Sequence, residues 1–294
     1  MTDTTSQPVL SSGTFTLAAG TADPLTVRRL GFGAMRITGG GIWGDPRDHD
    51  EAIAVLRRAV ELGVDLIDTA DSYGPYVSED LIREALHPYD DVLIATKGGL
   101  TRQGPDQWDP VGRAPYLRQC VEMSLRRLGV DRIDLWQLHR IDPRTPREEQ
   151  FGVIADMQRE GLIRHVGLSE VSVEEVQAAG EFFDVVSVQN LYNVGDRTSE
   201  ALLQYATANA IGFIPWFPLG NRALLGDDSP LAAVAARVGA LPGQVALAWL
   251  LQHSPVVLPI PGTGSLAHLE ENCAAAGVEL DAATMAELDA LVAG

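Results

Sequence analysis

Asp68, Tyr73, Lys97 and His139 are the residues of this chain best suited to moving a proton between a side chain and an oxygen atom. Lys97 draws attention first, because arginine fills 21 of the 22 Lys and Arg positions and leaves this one amine in 294 residues. A guanidinium keeps its charge at any working pH, whereas an ammonium is compact and changes its pKa readily when buried. A lysine paired with an aspartate keeps its charge, and a cation beside a phenol favours phenolate, lowering a pKa that starts near ~10. The tyrosine then becomes a usable proton donor or acceptor closer to neutral pH. A neutral imidazole nearby can hold a carbonyl oxygen by hydrogen bonding. The four types together describe proton transfer to a carbonyl oxygen.

Each residue alone has a plainer reading. Asp68 can cap the loop DTADSYG, Tyr73 can cover a rim, His139 can be a satisfied core histidine, and a lysine-poor chain keeps its last lysine somewhere. What separates the readings is position, since all four fall at the ends of consecutive strand candidates. His49, His87, His165 and His253 lack such a setting and read as surface or packing residues.

The elements that must carry these residues are eight short apolar stretches: 30–37, 64–68, 92–96, 133–139, 165–169, 185–189, 212–216 and 256–260. Most are almost continuously apolar, as parallel strands covered on both faces should be. Between them run helical patterns with recognisable starts. Asp48 with Glu51, Ser172 with Glu175, and Thr145 with Glu148 fit the capping pattern, the last with Pro146 at the first helical position; Ser229 and Pro230 repeat that cap and proline. Ile53, Leu56, Ala59 and Val60 form one core-facing stripe. Eight strand-helix units without a linker predict an α/β fold, a single (β/α)8 barrel domain over residues 1–294. Residues 14–27 read as an N-terminal β-hairpin that caps the barrel floor, residues 243–253 and 281–293 as two extra helices, and residues 1–12 as flexible.

Composition bounds the partners. A net charge of −18 without a basic run argues against nucleic-acid binding. Cys120 and Cys273 are too few and too far apart for a disulfide framework or a cysteine zinc site, so no metal is expected. The start MTDTTSQPVLSSG lacks the features of a secretory signal, and no apolar run reaches the ~18 residues of a membrane span, which predicts a cytoplasmic protein without membrane contact.

In such a barrel the chemistry sits where the strands end. Asp68, Lys97, His139, Ser169, Gln189 and Trp216 end the second to seventh strands, Tyr73 lies in the loop after the second, and Gly262, Thr263 and Gly264 follow the eighth. Backbone N–H groups of that last loop, with the helix start near Leu266, can approach a phosphate. Trp43, in a glycine-rich loop, reads equally as a pocket wall or a rim anchor, and Tyr76 and Trp108 are further rim aromatics.

In order and over nearly the whole chain, VDLIDTADSYGPYVSEDLIREAL, IATKGG, LWQLHR, HVGLSE, SVQNLYN and IPGTGSLAHLEEN resemble the aldo-keto reductases. The resemblance implies that Asp68, Tyr73, Lys97 and His139 form a catalytic tetrad, with Tyr73 as proton donor in reducing aldehydes or ketones. It implies the cofactor NADP(H), with NAD(H) not excluded, a small-molecule carbonyl substrate and a monomer. Cofactor contacts would come from Ala34, Met35, Ser169, Gln189, Trp216, Leu219, Gly220, Gly262, Thr263, Gly264, His268, Glu271 and Asn272, with Trp43 and Tyr76 lining the substrate pocket. Four positions depart from the pattern: Glu170 stands where an asparagine is common, Trp216 where a tyrosine usually stacks on the nicotinamide, and Gly262 and His268 where NADP-preferring members carry lysine and arginine. Two other readings stay open: a nucleotide-binding regulatory subunit of the same fold, and a Schiff-base lyase using Lys97.

Overall fold

The computed structural model describes residues 7–220, 222–226 and 229–292. Residues 1–6 lie outside the described residues; of the segment 1–12 expected to be flexible, Pro8–Ser12 instead form a 3-10 turn. Val9 explains the difference: it is buried against the core, and its N–H meets the carbonyl of Leu62.

The strands in chain order are β1 (Thr14–Leu17), β2 (Leu25–Arg28), β3 (Phe32–Gly33), β4 (Leu66–Asp68), β5 (Leu93–Gly98), β6 (Leu100–Gly104), β7 (Gln107–Pro110), β8 (Ile133–Leu138), β9 (Ile163–Ser169), β10 (Val185–Gln189) and β11 (Gly212–Phe213). The helices are α1 (His49–Glu61), α2 (Val77–Leu86), α3 (Ala114–Leu128), α4 (Arg147–Arg159), α5 (Val173–Ala179), α6 (Glu200–Ala208), α7 (Arg222–Leu225), α8 (Pro230–Val238), α9 (Pro242–His253), α10 (Leu266–Ala274) and α11 (Ala282–Asp289). Seven strands form one parallel sheet in the order β11-β10-β9-β8-β5-β4-β3.

The stretch 256–261 joins the two edges of that sheet. On one side Phe213 N donates to Val256 O and Leu258 N to Phe213 O; on the other Gly31 N donates to Pro259 O and Gly33 N to Pro261 O. Pro259 and Pro261 have no N–H to give back, so this segment makes an isolated bridge to Phe213 instead of the strand expected at 256–260. The curled sheet with its outer helices is thus consistent with a (β/α)8 barrel.

Other boundaries moved for local reasons. The first apolar stretch is a strand only at Phe32–Gly33 and then turns into a 3-10 helix at Ala34–Ile37. A Cβ on Gly33 would sit 2.6 Å from Ile260 O and one on Gly262 2.5 Å from Gly33 O, so the two backbones touch where only glycine fits. The seventh stretch shrinks to β11, and Trp216 instead bridges to Leu191. At α4 the cap differs from expectation: Pro146 itself is the N-cap, and the Thr145 hydroxyl turns back to Asp142.

Asp48, Ser172 and Ser229 each accept the N–H three residues on, and Ser172 with Glu175 completes a capping box. Leu17 and Val27 of the β1–β2 hairpin are buried with Leu66, Leu93, Leu135, Val186, Ile214 and Leu258, so the hairpin packs into the apolar interior of the sheet. Val245 through Leu251 of α9 are all buried, which fits a helix apolar all round. Among the described residues no single helix is long and apolar enough to cross a membrane.

Candidate active site

Parallel strands place Asp68, Lys97 and Gln137 side by side. Lys97 pairs in register with Gln137 of β8, and Asp68 closes β4 next door. Lys97 lies one residue inside the end of β5, and its side chain is wholly buried. Its ammonium donates to Asp68 Oδ2 at 2.6 Å, to Thr69 O at 2.8 Å and to the Tyr73 hydroxyl at 3.2 Å. All three donors are engaged. The other carboxylate oxygen, Asp68 Oδ1, accepts from Gln137 Nε2 at 3.0 Å and Gln189 Nε2 at 2.9 Å.

Tyr73 reaches this pair because its loop folds back over the strand ends. Thr69 N donates to Ala95 O and Asp71 N to Lys97 O, which continues the β4–β5 ladder into the loop. His139 follows β8, its N–H bonded to Gly98 O. The Tyr73 and His139 rings meet edge to face with centroids 5.8 Å apart. Ser72 Oγ lies 3.3 Å from His139 Nδ1, a hydrogen bond whose direction follows the tautomer.

Burial sets the protonation states. Burial pushes the Tyr73 hydroxyl up and the Lys97 ammonium opposes it without overcoming it, so its pKa is raised, against the lowering expected from sequence. Burial also pulls Lys97 down, but Asp68 and Tyr73 more than offset this and leave it raised. For His139, burial and then Lys97, Arg140 and Arg102 act in one direction, holding the imidazole well below its usual range. Near neutral pH the cluster is a phenol, an ammonium paired with a carboxylate, and a neutral imidazole.

Around the tetrad, Ser169 Oγ lies 3.0 Å from Arg140 Nη1, and Gln189 keeps its Oε1 without a partner among the described residues. Glu170 Oε1 accepts the Leu191 N–H and the indole N–H of Trp216, anchoring that ring at the mouth of the sheet. Leu219, with Gly220 beyond it, comes beside Gly243 at the start of α9, and Gln244 donates to Glu271 O of α10. Ala34 is buried and Met35 half-buried beyond Gly33. Thr263 is buried and its hydroxyl accepts from Ser265 N. His268 and Glu271 are exposed on α10, while Asn272 is buried.

Two features fit a dinucleotide. The N-terminus of α10 has no side-chain cap and no acid in its first turn, which leaves N–H groups and the positive helix end for phosphate. Trp216 presents a pinned aromatic face. Among the described residues no group of three His, Cys, Asp or Glu side chains is placed to hold a metal ion.

The rim differs from expectation. Trp43 remains near the site, 5.7 Å from the Arg102 guanidinium. Tyr76 instead lies over Arg127, which ion-pairs with Glu79 of α2. The β6–β7 hairpin brings Trp108 edge-on to both Tyr73 and His139, with centroids 6.3 Å apart in each case. Sequence reasoning missed Ser72, Gln137, Arg102 and Arg140. Gln137 had a signal, since it lies two residues before His139 and so on the same strand face; the arginines had none.

A profile of the Aldo/keto reductase family matches residues 29–293. The chain belongs to this family. Among aldo/keto reductase relatives and similar proteins, an uncharacterized oxidoreductase of Schizosaccharomyces pombe is 56% identical, covering 90% of this chain and 87% of its own. Pyridoxine 4-dehydrogenase of Escherichia coli is 45% identical over 96% of this chain and 99% of its own. An aldo-keto reductase of Klebsiella pneumoniae, solved in complex with NADPH, is 26% identical with a TM-score of 0.78, over 91% of this chain and 92% of that one.

Proposed function

We propose that this aldo/keto reductase is an NADP(H)-linked oxidoreductase that reduces aldehydes or ketones to alcohols, with Tyr73 donating the proton. The observation that carries the reading is the Lys97 ammonium, bonded at once to Asp68 and to the Tyr73 hydroxyl beside the His139 ring. A bound NADPH supplies the hydride. Tyr73 is a phenol at neutral pH because burial raises it, so it has a proton to give as charge develops on the carbonyl oxygen. The Lys97 ammonium stabilises the phenolate left behind, and Asp68 with Gln137 and Gln189 holds that ammonium in place. The neutral His139 positions the carbonyl oxygen without competing as an acid.

For the cofactor, Gln189 Oε1 has an acceptor for a carboxamide, Trp216 a face for the nicotinamide ring, and the 262–264 loop with α10 a seat for phosphate. The NADPH complex of the Klebsiella pneumoniae protein supports NADP(H), and the Escherichia coli relative makes pyridoxal a first substrate to try. A Schiff-base lyase is disfavoured, because a wholly buried ammonium with three acceptors is not a free nucleophile. We also read the chain as one domain acting as a monomer.

The test is oxidation of NADPH and NADH at 340 nm against pyridoxal and a panel of aldehydes and ketones. Turnover with NADPH is expected. A protein that binds NADPH but reduces none of them would instead favour the regulatory-subunit reading.

A further inference from the structure

We propose that Arg140 determines substrate specificity, its guanidinium binding an ionised oxygen of the substrate, so that the enzyme prefers carbonyl compounds carrying a carboxylate or phenolate. The inference rests on the reductase reading above.

Arg140 directly follows His139 and is half-buried. Nη1 makes both of its hydrogen bonds, to His139 O at 2.6 Å and Ser169 Oγ at 3.0 Å. Nε and Nη2 have no hydrogen-bond partner among the described residues, and neither is sealed in the interior. Two donor nitrogens of a charged fork, with three N–H groups, are therefore held beside the tetrad with nothing to bind.

This is unusual within the molecule. Among the described residues the other half-buried arginines meet a carboxylate, as Arg127 meets Glu79, or are tied into several backbone carbonyls, as Arg29 and Arg102 are. The acid best placed to neutralise Arg140 is Glu170, whose field acts on it, but Glu170 makes no ion pair with it and instead binds Trp216 and Leu191. The Lys97 charge is matched by Asp68, whereas Arg140 and Arg102 both bear on His139. The charged side chains that bear on His139 are thus Lys97, Arg140 and Arg102, all cationic. A half-buried cation without a counter-ion is costly unless a ligand supplies one. A guanidinium edge with two free donors matches a carboxylate or phenolate oxygen.

Arg102 is not an alternative, because all five of its N–H donors are used on backbone carbonyls. Its charge adds to the field, but the directed contact belongs to Arg140.

The experiment follows NADPH oxidation with 2-, 3- and 4-carboxybenzaldehyde and with the methyl ester of each, which keeps the shape and removes the charge. At one ring position or more the wild-type kcat/KM for the acid should exceed that for the ester by about tenfold, or ~1.4 kcal/mol. Arg140→Gln should bring that ratio to about one, and Arg140→Lys should keep part of it. The Kd for NADPH should stay within about threefold in both variants, and circular dichroism checks that each folds. A wild-type ratio at or below one at every position overturns the proposal without reference to any variant. So does an unchanged ratio in Arg140→Gln, or a loss of NADPH binding with the ratio intact, which would make Arg140 a cofactor residue. If no aldehyde is reduced at all, the reductase reading fails, and calorimetric binding of the acids against the esters still decides the Arg140 contact.

Discussion

Glu170 Oε1 accepts the indole N–H of Trp216 at 2.5 Å and the Leu191 N–H at 2.9 Å. The family pattern commonly has asparagine at this position, and the longer carboxylate has taken a different task. Glu170 sits at φ +55°, in the left-handed region. Glu170→Ala removes the anchor from both N–H groups, and the Kd for NADPH, read by quenching of protein fluorescence, is expected to rise about tenfold. Glu170→Gln keeps an acceptor oxygen and should cost less than about threefold. Equal affinity in wild type and Glu170→Ala would show that the ring needs no anchor.

How far the sequence reaches is visible in particular residues. Asp68, Lys97 and His139 were legible because each follows a short apolar run, and parallel strands bring their carboxyl ends to one face whatever the loops do. The eighth strand is legible by hydropathy but differs in kind, since Pro259 and Pro261 offer only carbonyls to Gly31 and Gly33, while Leu258 alone donates back, to Phe213 on the other side. The β6–β7 hairpin lies outside the sequence reading, although Gly104 at the end of β6 and Pro105 and Asp106 after it form a turn signal. Arg102 and Arg140 were not legible at all. Their roles depend on carbonyls and a hydroxyl from other elements, and nothing in local spacing announces such partners.

The raised Tyr73 pKa sets the pH dependence in each direction of reaction. Reduction needs the phenol, so kcat/KM with an aldehyde should stay level through neutral pH and decline only at strongly alkaline pH. Alcohol oxidation needs the phenolate and should climb over the same alkaline range. Because His139 is held well below its usual range, no second limb is expected between about pH 6 and 8, where an ordinary histidine titrates. Tyr73→Phe should lose at least about a thousandfold in kcat and bind NADPH as before. A limb in that window that persists in Asp71→Asn, which removes a carboxyl also raised to about 7, would place a protonating imidazole in the mechanism.

Lys97 is judged by what its removal leaves behind. Lys97→Met buries Asp68 without its cation, a change that typically costs about 3–5 kcal/mol, although Gln137 and Gln189 still donate to the carboxylate. Urea denaturation should show that loss, and Asp68→Asn in the same chain should recover part of it. Lys97→Arg restores the charge, but a planar fork cannot meet Asp68, Thr69 O and the Tyr73 hydroxyl from one nitrogen. Its kcat should fall at least a hundredfold, or ~2.7 kcal/mol. Normal turnover would reduce the lone lysine to an accident of composition.

Asp71, two residues before Tyr73, is buried with Oδ1 lacking a hydrogen-bond partner among the described residues. Burial and then the nearby Glu79 push its carboxyl from 3.8 up to about 7, while the Cys120 thiol and Arg127 act the other way. A carboxyl raised on folding stabilises below its unfolded value, and that contribution is lost as pH rises through the folded value. Between about pH 4 and 7 the protein should therefore lose a few kcal/mol at ~1.4 kcal/mol per pH unit. Asp71→Asn should flatten this slope and raise the Tm at pH 8 by several degrees, with little gain at pH 4. A wild-type Tm independent of pH across that window would mean the carboxyl stays ionised.

Arg102 joins three loops through backbone carbonyls alone. It donates to Gly41 and Ile42 in the glycine-rich loop, to Ser72 beside Tyr73, and to Gly104 and Gln107 in the β6–β7 hairpin, while its guanidinium lies 3.5 Å from the centre of the Trp108 ring. Since Trp108 contacts both Tyr73 and His139, the clamp fixes one wall of the space beside those two rings. Arg102→Gln removes most of these donors, and kcat/KM should fall about ten- to a hundredfold while the Kd for NADPH changes little. Amide hydrogen exchange over residues 100–110 should accelerate in parallel. Arg102→Lys is not expected to rescue either effect, because an ammonium offers three donors where five carbonyls wait. Unchanged exchange together with lost activity would locate the effect of Arg102 in its charge on His139 rather than in the hold on the hairpin.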